Sequence, residues 1–487
     1  YIRVGWGMKI LFLTANYLRN RQEQDSFRKS ILDAVRLYSD EVLYFQYNDF
    51  CSEQSGDFYS AKDQQDFLKR LKDFSPDKVI SINGSGLNDA ILSEISGIET
   101  HVWFVDAPWR FPEHILKPLK DRNNIYTYAA SGHAHRWLGE NKVGNSSGGV
   151  LHFATHENLV LAPKNLEERE YSYSFLGTLW DSRRYGNELK ALKCDRKEIS
   201  QLYELLKGHF SSYNYELANQ FREIVPRSEL SDSEIFSIFD DECSTFNRRE
   251  TLKALSSLEP RGVIHGTPEW MYSLGLSGED LNFCFDPSFV MDIEDQYNLY
   301  RNSMIGLNIC HHQSKEGGAP IRCFDLWGAG TALITNSPLE EDSLKMKQGH
   351  NYFLYDGSSD VIKTTKKIIE SSEYMELVKE TQKIVIEYHT YKNRARFFCN
   401  TEERNEMGPI YCFSKFKMNF ENCLENGEFE FKEGFADSYT YSSLVDAGKL
   451  QSTELLKKFI GSMFSRPRPG RSRKKAFARF LDEIRGE

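Results

Sequence analysis

Residues 300–336 read YRNSMIGLNIC (300–310), HHQSKEGGA (311–319), PIRCFDLWGAG (320–330) and TALITN (331–336). The apolar runs at 304–309 and 332–334 are typical of strands buried on both faces. Pro320 at the start and Gly328 and Gly330 at the end delimit a short helix between them. We therefore predict a strand–loop–helix–strand unit of a parallel sheet, in a chain of the α/β class.

The loop of this unit is a candidate binding site. In open α/β sheets, ligands bind beyond the carboxyl ends of the strands, where this loop lies. Gly317 and Gly318 allow the backbone to approach a ligand, and the free N–H groups at the helix start suit phosphate. Arg322 and Asp325 fall in the first turns of the helix, so we expect at least one of them in the cleft. The alternative is a turn without a ligand, in which Asp325 only caps the helix.

The pattern Gly-x-Pro-x-Arg-x-Phe-Asp-x-x-Gly-x-Gly-x-x-Leu-Ile-Thr over residues 318–335 resembles the carboxyl-half signature of GT-B glycosyltransferases. It is closest to the CgeB-like (spore-maturation) group and more distantly similar to the family 4 type. Trp-x-x-Asp-x-Pro at 103–108 and His-Thr-x-x-x-Arg at 389–394 resemble the same group. The resemblance implies two Rossmann-like, doubly wound domains that face a cleft, with a nucleotide-sugar donor on the second domain and no cofactor.

The resemblance has one departure. In family 4, two glutamates that flank this loop and helix hold the donor sugar and its ribose. Asp325 takes the place of the second glutamate, whereas Glu316 lies one residue too early for the first. The donor and the stereochemical course of the reaction therefore stay open.

The composition excludes several classes of protein. Hydrophobic residues make up 40% and charged residues 27% of the 487, as in soluble globular proteins of about two domains. The net charge of −10 argues against nucleic acid as the main partner. No apolar run approaches the roughly 20 residues of a membrane span. The nine cysteines show no paired metal spacing, so we expect reduced thiols in a cytoplasmic protein, and no metal site.

Residues 8–163 alternate strands with helices, which predicts an amino-terminal Rossmann-like domain on the acceptor side. Gly84 and Ser85 follow a strand and suit close approach of an acceptor, but a lone Gly-x-Gly is more often a structural turn. Asp106 ends a strand and would accept a proton from an acceptor hydroxyl in the cleft; a helix cap or loop brace is the alternative. Residues 150–163 resemble the last strand and the exit of such a domain, which puts His156 at the cleft floor.

Residues 171–396 are predicted to form the nucleotide-sugar-binding domain, with a helical insertion at about 185–256. The first strand ends at Gly177, and the family places a donor-phosphate arginine next, for which we choose Arg183; a solvated surface residue is the alternative. His265 and Gly266 end a strand that lies beside the nucleotide in this fold, with core or turn roles open for His265. The acidic triplet at 240–242 is expected to be a solvated face.

Residues 397–487 lie outside the resemblance and form a predicted carboxyl-terminal extension. Within it, residues 466–479 carry seven Arg or Lys and no acidic residue, and 474–484 is expected to form a basic amphipathic helix. The tail 466–487 would then contact an anionic membrane surface or a partner enzyme, peripheral to the inner face of the membrane. A solvated tail or a link to another domain is the alternative.

These features predict a metal-independent glycosyltransferase that moves a sugar from a nucleotide-sugar to a glycan, lipid-linked or protein acceptor. The candidate residues are Gly177, Arg183, His265, Gly266, Glu316, Gly317, Gly318, Arg322 and Asp325 on the donor side, and Gly84, Ser85, Asp106 and His156 on the acceptor side. Asp106 and Asp325 are the catalytic candidates. Helix N-termini and arginine would neutralise the leaving diphosphate. A nucleotide-sugar epimerase of the same fold and a non-catalytic glycan-binding or scaffold module are the alternatives.

Overall fold

The structure is a computed structural model of the chain. It describes residues 8–15, 26–52, 55–177, 201, 204, 244, 247–266, 270, 283–286, 292–310 and 318–399. Arg183, Glu316, Gly317, the triplet 240–242 and the tail 466–487 lie outside the described residues, as does most of the predicted helical insertion.

The first domain is a six-stranded parallel sheet with the strand order β2-β1-β3-β4-β5-β6. Its strands are β1 (Lys9–Thr14), β2 (Glu41–Gln46), β3 (Lys78–Ile82), β4 (Glu99–Phe104), β5 (Ile125–Ala129) and β6 (Asn145–Val150). The intervening helices are α1 (Ser26–Val35), α2 (Ala61–Phe74), α3 (Asp89–Glu94), α4 (Glu113–Leu116) and α5 (Gly132–Glu140).

The second domain repeats this architecture with the order β12-β11-β10-β7-β8-β9, also parallel. Its strands are β7 (Tyr171–Gly177), β8 (Gly262–Gly266), β9 (Phe283–Asp286), β10 (Ser303–Asn308), β11 (Ala332–Thr335) and β12 (Tyr352–Leu354). Its helices include α6 (Ile293–Arg301), α7 (Ile321–Gly328), α8 (Glu341–Leu344), α9 (Ser358–Ile369) and α10 (Tyr374–Tyr388), and α11 (Tyr391–Cys399) follows. The predicted α/β class with two doubly wound sheets is confirmed.

The strands form where the sequence carries uninterrupted apolar runs. Every residue of β3 and β11 is buried, because helices cover both faces of each sheet. Helix α1 contributes a stripe of residues four positions apart, Phe27, Ile31 and Val35, to the core beneath β1.

The last strand of the first domain lies earlier than predicted. We expected it to begin at Val150, whereas β6 ends there and residues 151–163 form the exit. The sequence NSSGGV lacks the apolar pattern of a strand, but it allows close pairing with β5. A Cβ atom on Gly148 would lie 1.7 Å from the carbonyl oxygen of Thr127, so the two backbones approach only because this residue is glycine.

The chain crosses between the two domains twice, and the two crossings run side by side. The backbone N–H of Thr155 donates to the carbonyl of His389 at 2.8 Å, and the N–H of Tyr391 donates to the carbonyl of Thr155 at 3.1 Å. After the second crossing, α11 packs against α1 and the first sheet, where Tyr391 and Phe398 join the core. Helix α11 is therefore structurally a part of the first domain.

Arg394 on α11 forms hydrogen bonds with both crossing segments. Its side chain is 3% exposed and donates to the carbonyl oxygens of His152, Phe153 and Tyr388 at 2.7–2.8 Å. Burial lowers the pKa of Arg394 to about 9. Carbonyl groups from both crossings thus satisfy the donors of a buried arginine, which fixes the relative position of the two segments.

Candidate active site

A cavity of about 210 Å³ lies between the two sheets. One wall comes from the first domain: the end of β4 with Asp106, the start of α5 with Ser131, and Phe153 on the exit segment. The opposite wall is the segment 318–321 at the start of α7 in the second domain. The carboxyl ends of β4 and β5 therefore face the start of α7 across this cavity, and ligands bind beyond strand ends of this kind in open α/β sheets.

The start of α7 is held close to the second sheet. A Cβ atom on Gly306 of β10 would lie 2.0 Å from the Leu326 side chain, so the helix packs directly on the strand. Pro320 occupies the N-cap position and makes no side-chain hydrogen bond to the first turn. The first turn therefore has no side-chain cap, and the helix dipole adds positive potential at this wall of the cavity.

Arg322 lies beside the end of β7 and is not among the residues that line the cavity. Its guanidinium is 5.0 Å from the centre of the Phe175 ring, and its Nη2 would be 3.4 Å from a Cβ atom placed on Gly177. A Cβ atom on Gly266 would lie 2.3 Å from the Gly177 carbonyl oxygen, so β7 and β8 approach closely at their ends. The structure therefore brings Gly177, Gly266 and Arg322 to one edge of the second sheet, whereas Gly318 lines the cavity, and their roles toward a donor stay predictions.

Trp270 also belongs to this edge, and sequence reasoning missed it. Its side chain is fully buried, and its Nε1 donates to the Gly177 carbonyl at 2.7 Å. A lone tryptophan that follows Thr-Pro-Glu at 267–269 carries no pattern that would identify it. It fixes the carbonyl of Gly177 and so the end of β7.

Asp325 lies deeper than Arg322, within a buried network. It is 3% exposed, the Tyr297 hydroxyl donates to its Oδ1 at 2.9 Å, and the Gln296 amide donates to its Oδ2 at 3.0 Å. Burial raises the pKa of Asp325 to about 7, against the opposing effects of both hydrogen bonds and of Arg322. Tyr297 also contacts the Thr155 hydroxyl, so the network joins α6 and α7 to the first crossing. Its role toward a donor stays a prediction.

Asp106 is half-buried at the end of β4 and lines the cavity. Gly84 and Ser85, in the neighbouring turn after β3, do not line it. Gly84 adopts φ +69° and faces the side chains of Ile115 and Leu119, and the Ser85 carbonyl accepts a hydrogen bond from Ser81. The residue of this turn that contacts Asp106 is Asn83, which sequence reasoning did not select.

His156 and His265 lie away from the cavity wall. His156 is hydrogen-bonded to Ser30 at 2.9 Å and packs against the rings of Tyr297 and Tyr391. Burial lowers the pKa of His156 to about 4. His265 faces the edge strand, where its Nδ1 is 3.7 Å from the carboxylate of Asp286. Their predicted contacts with acceptor and donor stay predictions.

No group of three or more His, Cys, Asp or Glu side chains among the described residues has a metal-binding arrangement. Among the same residues, no helix combines the length and hydrophobicity that crossing a bilayer requires.

Residues 248–400 match the family model Glyco_trans_1_2, described as glycosyl transferase-like. The matched segment contains β8 to β12 and α11. It includes the strand–loop–helix–strand unit of β10, α7 and β11, so this part of the chain is similar to glycosyltransferases. No curated protein sequence matches the chain significantly.

Several solved structures are similar over most of the chain. Anabaena HepE, in complex with UDP-glucose, is 12% identical with a TM-score of 0.47, and the similarity covers 82% of this chain and 100% of that one. Sucrose-phosphate synthase from Thermosynechococcus elongatus is 10% identical (TM-score 0.47, 82% and 99% covered). T4 phage BGT, in complex with its substrate UDP-glucose, is 8% identical (TM-score 0.42, 82% and 99% covered). Because these TM-scores are below 0.5, the fold rests on the sheet topology.

Proposed function

We propose that the protein is a glycosyltransferase that moves a sugar from a nucleotide-sugar on the second domain to a hydroxyl group of an acceptor on the first. The observation that carries the proposal is the shared cavity: Asp106 and the first turn of α7 line the same space of about 210 Å³. The family match over residues 248–400 supports the donor half. A closer relationship to the CgeB-like group or to family 4 stays a prediction.

The start of α7 and Arg322 would hold the donor diphosphate. The uncapped first turn supplies N–H donors and the helix dipole, and a guanidinium pairs with phosphate oxygens bidentately. Gly177 allows the guanidinium to lie beside the end of β7, because a Cβ atom at this position would be 3.4 Å from Arg322 Nη2. Arg183, Glu316 and Gly317 would complete this site from the segments outside the described residues. Asp325, behind Arg322, would reach the ribose or sugar.

Asp106 would act as the general base. The acceptor oxygen attacks the anomeric carbon of the donor sugar, the bond from that carbon to the diphosphate oxygen breaks, and the acceptor proton passes to the Asp106 carboxylate. The diphosphate leaves with its negative charge balanced by Arg322 and the helix start. In this scheme the reaction needs no metal ion, and turnover should persist in EDTA.

A direct test combines donor and acceptor assays. Thermal shift with a panel of nucleoside diphosphates identifies the base, because a ligand that binds only the folded state raises the melting temperature. Transfer is then measured with that nucleotide-sugar and with oligosaccharide, lipid-linked and DNA acceptors. Sugar conversion without an acceptor would favour the epimerase. Binding without any turnover would favour the non-catalytic module, and no binding of any nucleotide would contradict the proposal.

The basic tail would add contact with an anionic membrane surface near the acceptor. Each basic residue close to such a surface contributes on the order of 1 kcal/mol, and the attraction weakens with salt. Deletion of residues 466–487 should abolish pelleting with phosphatidylserine vesicles at low salt and spare transfer to a soluble acceptor. A full-length protein that stays in the supernatant would contradict the membrane contact.

A further inference from the structure

Asn83 makes four hydrogen bonds at the end of β3, three through its side chain and one through its backbone N–H, all to β4 and the residues that follow it. Its Oδ1 accepts from the backbone N–H groups of Val105 at 2.8 Å and Asp106 at 3.3 Å. Its Nδ2 donates to Asp106 Oδ2 at 2.8 Å. Its own N–H donates to the Trp103 carbonyl at 2.9 Å. The side chain is fully buried, so water does not compete for these bonds.

The network itself fixes the orientation of the amide. Two backbone N–H groups can only donate, so the atom they share must be the Asn83 oxygen. The NH₂ group must then face Asp106, and an NH₂ group can only donate. Asp106 Oδ2 therefore accepts this bond, which an ionised carboxylate does better than a protonated one.

The backbone of Asn83 also suits this task. It has φ +58°, in the left-handed region where asparagine is tolerated better than most residues with a side chain. This conformation turns the chain away from β3 while the side chain reaches toward β4. An asparagine here thus costs little strain and gives both acceptor and donor to the neighbouring strand end.

We propose that Asn83 is a positioning residue of the transfer reaction, which holds the Asp106 carboxylate in the cavity as the charged proton acceptor. The inference rests on the proposed function, since it assigns Asn83 a role only through Asp106. The alternative is a brace that only stabilises the turn between β3 and α3. The two differ in one property, because a brace has no effect on the protonation of Asp106.

The described residues that line the cavity come from β4, α5, Phe153 and residues 318–321, and among them Asp106 is the only titratable one. A change in its titration therefore reports on the carboxyl group that faces the cavity.

Two variants separate the donor from the rest of the side chain. Asn83→Asp keeps an oxygen for the two backbone N–H groups and replaces the donor with a second carboxylate. Asn83→Gly removes the side chain without strain, because glycine adopts positive φ freely. Asn88→Asp is the matched control: it makes the same chemical change five residues away, at the N-cap of α3, where aspartate caps equally well.

The readout is the titration midpoint of the Asp106 side-chain carboxyl, followed by carbon-13 NMR of aspartate-labelled protein and assigned with Asp106→Asn. We expect the midpoint to rise by about one unit or more in Asn83→Asp, because like charges repel at this distance, and by less in Asn83→Gly. Asn88→Asp should leave it unchanged. The acidic limb of kcat against pH should move by the same amount, with the KM for the donor unaltered.

The outcomes separate this inference from the proposed function. An unshifted midpoint in folded Asn83→Asp and Asn83→Gly would overturn the positioning role, while loss of transfer in Asp106→Asn would still support the base. Should Asp106→Asn transfer sugar as well as the wild type, both the base and the positioning role are wrong. A raised midpoint in Asn83→Gly with an equal shift of the pH profile supports both, whereas a rise in Asn83→Asp alone reflects the added charge and overturns the positioning role.

Discussion

Glu340 of the second domain binds the first turn of α5 in the first domain: its Oε1 lies 2.5 Å from the backbone nitrogen of Gly132. Its Oε2 accepts from the Ser343 hydroxyl at 3.1 Å, and Ser343 in turn is 2.6 Å from Nε2 of the buried His152. A carboxylate at a helix N-terminus is favoured by the helix dipole. Because Ser131, the N-cap of α5, lines the cavity, this contact connects the cavity wall to the loop after β11.

Glu340→Ala should therefore destabilise the protein by about 1–3 kcal/mol, because it leaves the Gly132 N–H without its acceptor and removes a charge from a helix N-terminus. Glu340→Gln keeps an acceptor and should cost less. The free energy of unfolding in urea measures both. Asp342→Ala, an exposed acidic residue two positions away, is the control and should change stability by less than about 0.5 kcal/mol. Equal stability of Glu340→Ala and Asp342→Ala would show that the contact contributes nothing.

Arg322→Ala should weaken binding of the nucleotide-sugar, because the guanidinium lies beside Gly177 at the end of β7, where we propose that the donor diphosphate binds. A hydrogen bond to a charged group contributes about 1.5–3 kcal/mol, which corresponds to roughly a 10- to 100-fold higher Kd. Arg322→Lys keeps the charge without bidentate geometry and should be intermediate. Titration calorimetry with the nucleotide measures the affinity. Arg36→Ala, which removes an exposed arginine paired with Asp33, serves as the control; a matching Kd in all variants would remove Arg322 from the site.

Asp325 should lower the free energy of unfolding as pH rises, which is the opposite of the effect of a carboxyl group whose pKa is lowered by folding. Burial raises its pKa from 3.8 to about 7 in the folded state, so folding takes up a proton between these values. The stabilisation is present below the unfolded pKa and is lost as pH rises through about 4 to 7, by on the order of 2 kcal/mol between pH 5 and pH 8. Asp325→Asn cannot titrate and should lack this contribution. Urea unfolding of both proteins at the two pH values gives the difference, and parallel curves would contradict the raised pKa.

Gly306→Ala should displace α7, because its Cβ atom would lie 2.0 Å from the Leu326 side chain. Overpacking of this kind costs about 1–3 kcal/mol. It should also weaken nucleotide binding, since Arg322 and the helix start move together. Adding Leu326→Ala makes room, so the double variant should lose less stability than the sum of the two single variants. Strict additivity of the three unfolding free energies would show that the strand and helix do not contact as described.

The sequence predicted the parts of the fold that carry strong apolar runs or glycine and proline signals. The unit 303–335 appears with Pro320 as N-cap and a helix that ends at Gly328, as expected. The strand β6 was misplaced, because glycine and serine form it for a reason that lies in its neighbour: the Thr127 carbonyl leaves no space for a side chain. The local sequence pattern cannot predict a strand whose composition is set by the backbone of its neighbour.

The candidate site likewise contains some residues that the sequence pattern indicates and others that it does not. Arg322, Gly177 and Gly266 could be found because they sit at strand ends or helix starts, where ligands bind in this class of fold. Asn83, Tyr297 and Glu340 could not, because each acts on a residue more than 20 positions away in sequence. Asn83 follows β3 and contacts Asp106, which follows the neighbouring strand β4. Glu340 of the second domain contacts Gly132 of the first. Such contacts become visible only when the sheets are assembled.

The paired crossings have a consequence for how the protein can be divided. Since α11 completes the core of the first domain, residues 8–163 expressed alone would expose the surface that Tyr391 and Phe398 cover. The chain, by contrast, enters and leaves the second domain at adjacent points, Thr155 and His389, so the second domain is an insertion into the first. A chimera that changes donor preference should therefore exchange the residues between these two points as a single piece and keep α11 with its own amino-terminal half.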